Sequence, residues 1–312
     1  MNKVINSKCI CGDGLPWKQY EVIMINPCEH LIHRECLKSH KCPYCKINIT
    51  GIIKKHDYLK NPKLYQKCID IISMTNFDKL SKINYFGALT NLPNFLGTII
   101  QIPFTKGFEN GKKIVENIFN MNNIQIKVNG LEKIKNEPKV FICNHTSHLD
   151  FLTIFYILGC GFLASSVIKD NIIAKKFTDI IPLLLIDRGK NTNTVEKMKE
   201  YIKEIGSICL FPEGMITNPN TLINFRTGAF NTGYPVYPIV LKYKHNVSDM
   251  SSSNFIYKII SEQTEFIEMN ILDPYYPPFD NLKIELVRYK MAETGNLLIS
   301  RVSNRDIIDK KE

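Results

Sequence analysis

A histidine and an aspartate stand five residues apart in the run Asn144-His145-Thr146-Ser147-His148-Leu149-Asp150. The run follows Val140-Phe141-Ile142-Cys143, a continuous apolar stretch that reads as a buried strand, and the apolar segment after Asp150 reads as a helix. His145 is therefore expected on a strand-to-helix loop, with Asp150 inside the first helical turn. From there a carboxylate can hold one imidazole N–H, fix the tautomer and leave the other nitrogen as a base. A base held in this way can take a proton from an alcohol while that alcohol attacks an acyl group. Read alone, the pair also fits a polar loop that caps a helix. His148 reads as a bystander that faces solvent or caps the helix. Cys143 belongs to the apolar strand pattern and reads as a small core residue rather than a nucleophile.

Four later segments add chemistry in a fixed order. Leu184-Leu185-Ile186-Asp187-Arg188 ends an apolar run on an arginine. Leu210-Phe211-Pro212-Glu213-Gly214 is a strand end that breaks into a turn carrying an acid. Phe225-Arg226-Thr227-Gly228-Ala229-Phe230 sets a second arginine near a glycine, and Pro235-Val236-Tyr237-Pro238-Ile239-Val240 is a proline-punctuated strand. In this order the five segments resemble the motifs of the glycerolipid acyltransferases, the family of lysophosphatidic acid, glycerol-phosphate and lysophospholipid acyltransferases. The resemblance covers about residues 80–300. Asn270-Ile271-Leu272-Asp273-Pro274 with Pro277 resembles the family's late strand-and-proline segment, and Val287-Arg288-Tyr289-Lys290-Met291-Ala292 its C-terminal helix.

The resemblance implies His145 as general base and Asp150 as its orienter. It implies Arg188 on the acceptor's phosphate, where a guanidinium fork matches phosphate oxygens. Glu213 and Gly214 would shape the acceptor pocket, and Arg226 would add a second positive contact. Acyl-CoA is the implied co-substrate, with direct transfer and no covalent acyl-enzyme. Backbone N–H groups near the loop are expected to stabilise the tetrahedral oxyanion.

The front of the chain is a different object. Six of the ten cysteines and four of the seven histidines fall within the first 56 residues. Cys9, Cys11, Cys28, His30, His33, Cys36, Cys42 and Cys45 form closely spaced pairs of thiols and imidazoles, the donors of tetrahedral zinc. A disulfide framework is disfavoured, because the start does not read as a secretory signal peptide. The stretch from Cys28 to Cys45 resembles the RING finger in its two-histidine variant. A cross-braced RING implies two Zn2+, one on Cys9, Cys11, His33 and Cys36, the other on Cys28, His30, Cys42 and Cys45. Two features depart from that pattern: Cys9-x-Cys11 is one residue tighter than C-x-x-C, with Lys8 where the first ligand would stand, and the gap from Cys36 to Cys42 is short and lacks tryptophan.

These objects divide the chain into a RING-like zinc-binding domain over 1–50, linker and interfacial helices over 51–106, and an acyltransferase domain over 107–312. Lysines alternating with apolar positions over 54–80 read as a basic amphipathic helix, packed on the catalytic domain or in contact with anionic headgroups. Residues 83–105 carry no charge but contain Asn84, Asn91, Pro93, Asn94, Gln101 and Pro103, so broken helices lying in the membrane interface fit better than a span. Net charge is +10. It suits a membrane with negative lipids or the phosphates of acyl-CoA; without a basic cluster interleaved with aromatics, no nucleic acid is expected.

The elements that must position the chemistry alternate. Strands are expected near 125–128, 139–143, 162–167, 183–186, 207–211, 236–243 and 265–271, and helices near 107–120, 150–158, 171–178, 192–205 and 281–294. That alternation predicts an α/β fold, a mixed or largely parallel sheet covered by helices, with His145, Arg188 and Glu213 each following a strand at one sheet edge. The expected function is acyl transfer to a lysophospholipid, lysophosphatidic acid first, or to glycerol phosphate, by a protein attached interfacially to the cytosolic face of an intracellular membrane. A RING-type ubiquitin ligase with a ubiquitin-conjugating enzyme as partner, and a membrane-docked binding protein, are the alternatives.

Overall fold

The computed structural model describes residues 22–26, 28, 30–54, 66, 69–70, 73, 92–93, 96–98, 100–101, 107–147, 149–166, 180–186, 193–244 and 266–308. Cys9, Cys11, His148, Arg188 and the expected helix 171–178 lie outside them.

Near the front, β1 (Val22–Asn26) pairs antiparallel with β2 (Leu31–His33) and β3 (Gly51–Ile53). Ile23, Met24, Ile25, Leu31 and Ile32 are buried together with Cys42. So small a core offers little hydrophobic stabilisation.

The main sheet has seven strands. They are β4 (Gln125–Asn129), β5 (Lys139–Cys143), β6 (Gly161–Ser165), β7 (Leu183–Ile186), β8 (Ser207–Leu210), β10 (Val236–Tyr243) and β11 (Phe266–Ile271). Their order is β4-β11-β10-β5-β8-β6-β7. The five strands from β10 to β7 run parallel, β4 and β11 are parallel to each other, and the β10–β11 junction is antiparallel. The short β9 (Thr221–Leu222) pairs with β12 (Leu298–Ile299) in a separate two-stranded sheet.

Strand periodicity sorts the core into two layers. Phe141 and Cys143 of β5, with Tyr237, Ile239 and Leu241 of β10, face α1 (Phe108–Met121) and α2 (Leu149–Leu158). Val140 and Ile142, with Val236 and Val240, face α3 (Thr194–Ile205) and α4 (Asn281–Gly295). The result is a helix–sheet–helix sandwich built on side chains alternating across each strand. A final helix, α5, spans Asn304–Ile308.

Gly159 ends α2 with φ +63, and a Cβ there would lie 2.2 Å from the Phe108 ring, so residues 151–166 run as a helix, a tight turn and a strand. Among the described residues, no helix is long and apolar enough to cross a membrane. The described part of 54–80 docks on the main fold. Gln66 donates to the Ile299 carbonyl at 3.0 Å, the hydroxyls of Ser73 and Ser300 meet at 2.9 Å, and Arg301 donates to Asp70 Oδ2 through Nε at 3.1 Å and Nη2 at 2.8 Å.

Candidate active site

β5 lies between β8 and β10, all three parallel, with Ile142 opposite Leu210 and Cys143 opposite Ile239. The chain leaving β5 therefore emerges beside the turn after β8 on one side and the last residues of β10 on the other. Asn144 fixes that exit. Its amide donates to the Leu241 carbonyl at 3.0 Å, and its oxygen accepts from the Leu241 N–H at 2.8 Å.

His145 is held at both backbone groups. Its N–H donates to Glu213 Oε1 at 2.9 Å, and its carbonyl accepts from Thr217 N–H at 2.8 Å and Thr217 Oγ1 at 3.2 Å. The imidazole stacks on Phe211 with centroids 4.0 Å apart. Its Nδ1 lies 2.8 Å from Asp150 Oδ2. That oxygen also accepts the N–H groups of Thr146 at 2.7 Å and Ser147 at 2.9 Å. The other oxygen, Oδ1, accepts the Tyr243 hydroxyl. Asp150 itself is fully buried in the first turn of α2, whereas the His145 side chain is 17% exposed. A buried carboxyl group needs donors around its oxygens, and this one has four. With Nδ1 committed to Asp150, Nε2 is the nitrogen left to take a proton.

Glu213 is also fully buried. Burial pushes its pKa up to about 7, against the lowering effect of the N–H groups of His145 and Ile223 and the Thr217 hydroxyl, and with a further upward push from Asp150. Gly214 follows with φ +76. A Cβ there would lie 2.7 Å from Arg226 Nε, so glycine both permits the turn and lets Arg226 pack across it. The Arg226 N–H donates to the Pro212 carbonyl at 2.8 Å, which brings the second arginine to this turn.

The structure thus gathers His145, Asp150, Glu213, Gly214 and Arg226 at one sheet edge. The N–H groups of His145, Thr146 and Ser147 are bonded to the two carboxylates. Cys143 is fully buried, and burial holds its thiol well above the usual range, as befits a core residue. Sequence reasoning missed Asn144, Phe211, Thr217 and Tyr243. Only Tyr243 carried a signal: period-two alternation from Tyr237 places it on the α2 face.

Residues 125–242 match the family model described as Acyltransferase. The match covers the segment that carries this site. The chain is 29% identical over 199 residues to lysophospholipid acyltransferase LPEAT1 of Arabidopsis thaliana, covering 54% of this chain and 48% of that one. It is 27% identical over 184 residues to the chloroplastic 1-acyl-sn-glycerol-3-phosphate acyltransferase BAT2 of Brassica napus, covering 55% and 51%. The chain therefore spans about half the length of these relatives. The crystal structure of PlsC, the 1-acyl-sn-glycerophosphate acyltransferase of Thermotoga maritima, aligns with 73% of this chain and 96% of its own, at TM-score 0.47 and 16% identity.

Away from residues 125–242, the ligand atoms of Cys28, His30, Cys42 and Cys45 all lie within 4.8 Å of one another. Cys28 and His30 belong to the turn between β1 and β2, and Cys42 and Cys45 flank a tight turn; Cys42 Sγ lies 3.5 Å from His30 Nδ1. Three thiols and one imidazole drawn this close fit the donor set and closed geometry of structural zinc. His33 Nδ1 and Cys36 Sγ lie 4.0 Å apart as a second pair.

Proposed function

We propose that this chain is an acyl-CoA-dependent glycerolipid O-acyltransferase that acylates the hydroxyl of a lysophospholipid, lysophosphatidic acid first and glycerol phosphate next. The observation that carries the reading is the 2.8 Å bond from His145 Nδ1 to a fully buried Asp150. His145 Nε2 takes the acceptor's hydroxyl proton as the oxygen attacks the thioester carbonyl. The tetrahedral intermediate then collapses, the C–S bond breaks, and the proton leaves with the CoA thiol. Asp150 holds the tautomer and faces the imidazolium as it forms. Glu213 and Gly214 shape the acceptor side by fixing the His145 loop and the Arg226 turn, and Arg188 and Arg226 bind the acceptor's phosphate.

Attachment to the cytosolic face of an intracellular membrane is part of this reading. Leu92, Leu96 and Ile100 are helical, four residues apart and 37%, 48% and 63% exposed, an apolar stripe suited to a lipid interface. The test is acyl transfer from labelled acyl-CoA by the vesicle-bound protein over a panel of lysolipids and glycerol phosphate. Product with an acceptor carrying a phosphate monoester supports the assignment; no product with any acceptor sinks it.

The four-donor cluster favours a second, compatible reading. Cys28, His30, Cys42 and Cys45 hold one structural Zn2+, and His33 and Cys36 hold another with Cys9 and Cys11. The module is then RING-like and docks a ubiquitin-conjugating enzyme. Ubiquitin chain formation lost on replacing His33 or Cys45 supports ligase activity, and silence across a broad panel of conjugating enzymes refutes it.

A further inference from the structure

The buried Asp150 divides its partners unequally. Oδ2 takes His145 Nδ1 and two loop N–H groups, and Oδ1 takes the Tyr243 hydroxyl. Three of these four donors come from the same six-residue loop as the aspartate. Tyr243 comes from the end of β10, 93 residues away, and anchors the carboxylate to the sheet. Without that hydroxyl, Oδ1 would lose its tie to the sheet, and the carboxylate would be held only by the loop's three bonds to Oδ2.

We propose that Tyr243 is a positioning residue for the acyl transfer, holding the Asp150 carboxylate so that Oδ2 stays in line with His145 Nδ1. The inference rests on the acyltransferase reading, in which His145 is the base. The tyrosine does not touch substrate. It acts as the imidazole becomes an imidazolium: a carboxylate pinned at Oδ1 meets the new charge without reorganising, whereas an unpinned one must first turn back into place. The ring is half-buried and packs with the α2-facing core, so removing one oxygen leaves the fold's packing in place.

The test compares wild type, Tyr243→Phe and the chain carrying 4-aminophenylalanine at 243, all full-length on vesicles. For Tyr243→Phe, kcat is expected to fall about tenfold with KM for both substrates within about twofold, as for a group acting only in the transition state. The proton resonance of His145 Nδ1–H, assigned by its loss in His145→Ala, is expected to move or broaden. The aminophenylalanine chain keeps a weaker donor on the same ring and should recover kcat to within about threefold of wild type, with the resonance displaced. A Phe variant with wild-type kcat and an unmoved resonance overturns the proposal. So does a loss of rate shared equally between kcat and KM with a lowered Tm. If the Phe variant does not fold, the resonance of the aminophenylalanine chain decides: displaced supports the proposal, unmoved overturns it. Should wild type transfer no acyl group, the acyltransferase reading fails, and the resonance comparison still decides what Tyr243 does to the His–Asp pair.

Discussion

Glu213 reaches His145 through the backbone: its Oε1 accepts the His145 N–H at 2.9 Å, while its Oε2 accepts the Thr217 hydroxyl at 2.8 Å and the Ile223 N–H at 3.2 Å. The Thr217 N–H in turn donates to the His145 carbonyl at 2.8 Å. The acid of the turn after β8 is thus a buried peg that sets where His145 stands. Replacing it by alanine leaves the N–H groups of His145 and Ile223 without their acceptor, while the Thr217 hydroxyl keeps the His145 carbonyl within reach. Each unsatisfied buried group costs about 1–3 kcal/mol, so Glu213→Ala is expected to lower Tm by many degrees and abolish transfer, as thermal melts and the acyl-transfer assay would register.

The pH dependence of stability follows from the same residue. Its folded pKa of about 7 lies above its ordinary value of 4.5, so the native state binds this proton more tightly than the unfolded chain. The corresponding stability is fully present below about 4.5 and is lost as pH rises towards 7. Melts from pH 5 to 8 should therefore show wild type losing stability relative to Glu213→Gln until about pH 7, then running parallel to it. Parallel curves throughout would place Glu213 in a more polar setting than the structure gives it.

Gly214 and Arg226 form a matched pair. A side chain at 214 meets both a φ of +76 and the Arg226 guanidinium. Gly214→Ala is expected to cost about 1–2 kcal/mol from the left-handed backbone alone and to displace Arg226. The kinetic consequence is a raised KM for phosphate-bearing acceptors with KM for acyl-CoA unchanged. Equal effects on both substrates would remove Arg226 from the acceptor side.

Metal content tests the front module. Elemental analysis of the purified full chain should find zinc, and Cys42→Ser should lower it and loosen residues 22–54 in hydrogen exchange, since structural zinc supplies folding energy. Acyl transfer provides the contrast, because no ligand of that cluster belongs to the His145 site. A chain free of zinc, with 22–54 equally protected in Cys42→Ser, would show that the thiols serve packing alone.

The seven strands of the main sheet are legible because most are apolar runs bounded by turn residues. Val140-Phe141-Ile142-Cys143 is buried on both faces, and its continuous apolarity says so. Helices α1, α3 and α4 fall within two residues of expectation at either end, since Gly107, Asn193 and Asp280 precede them and Gly206 and Asn296 follow α3 and α4. The small sheet of β1, β2 and β3 is not legible, because a hairpin organised around thiols and imidazoles shows ligand spacing more strongly than strand alternation. The pairing of β9 with β12 joins residues far apart in sequence and leaves no local trace. At the site, the His145–Asp150 bond is local and readable. The roles of Glu213, Thr217 and Tyr243 depend on β8 and β10 flanking β5, a fact of topology that no short stretch of sequence carries.

The central claim is that His145, oriented by Asp150, is the base of an acyl transfer. The most direct measurement is transfer from labelled acyl-CoA to lysophosphatidic acid by wild type and His145→Ala at equal vesicle loading, with Tm recorded for both. Product from wild type, and a loss of about 100-fold or more in a variant that melts normally, is the predicted result. Transfer at the wild-type rate by His145→Ala would contradict the account.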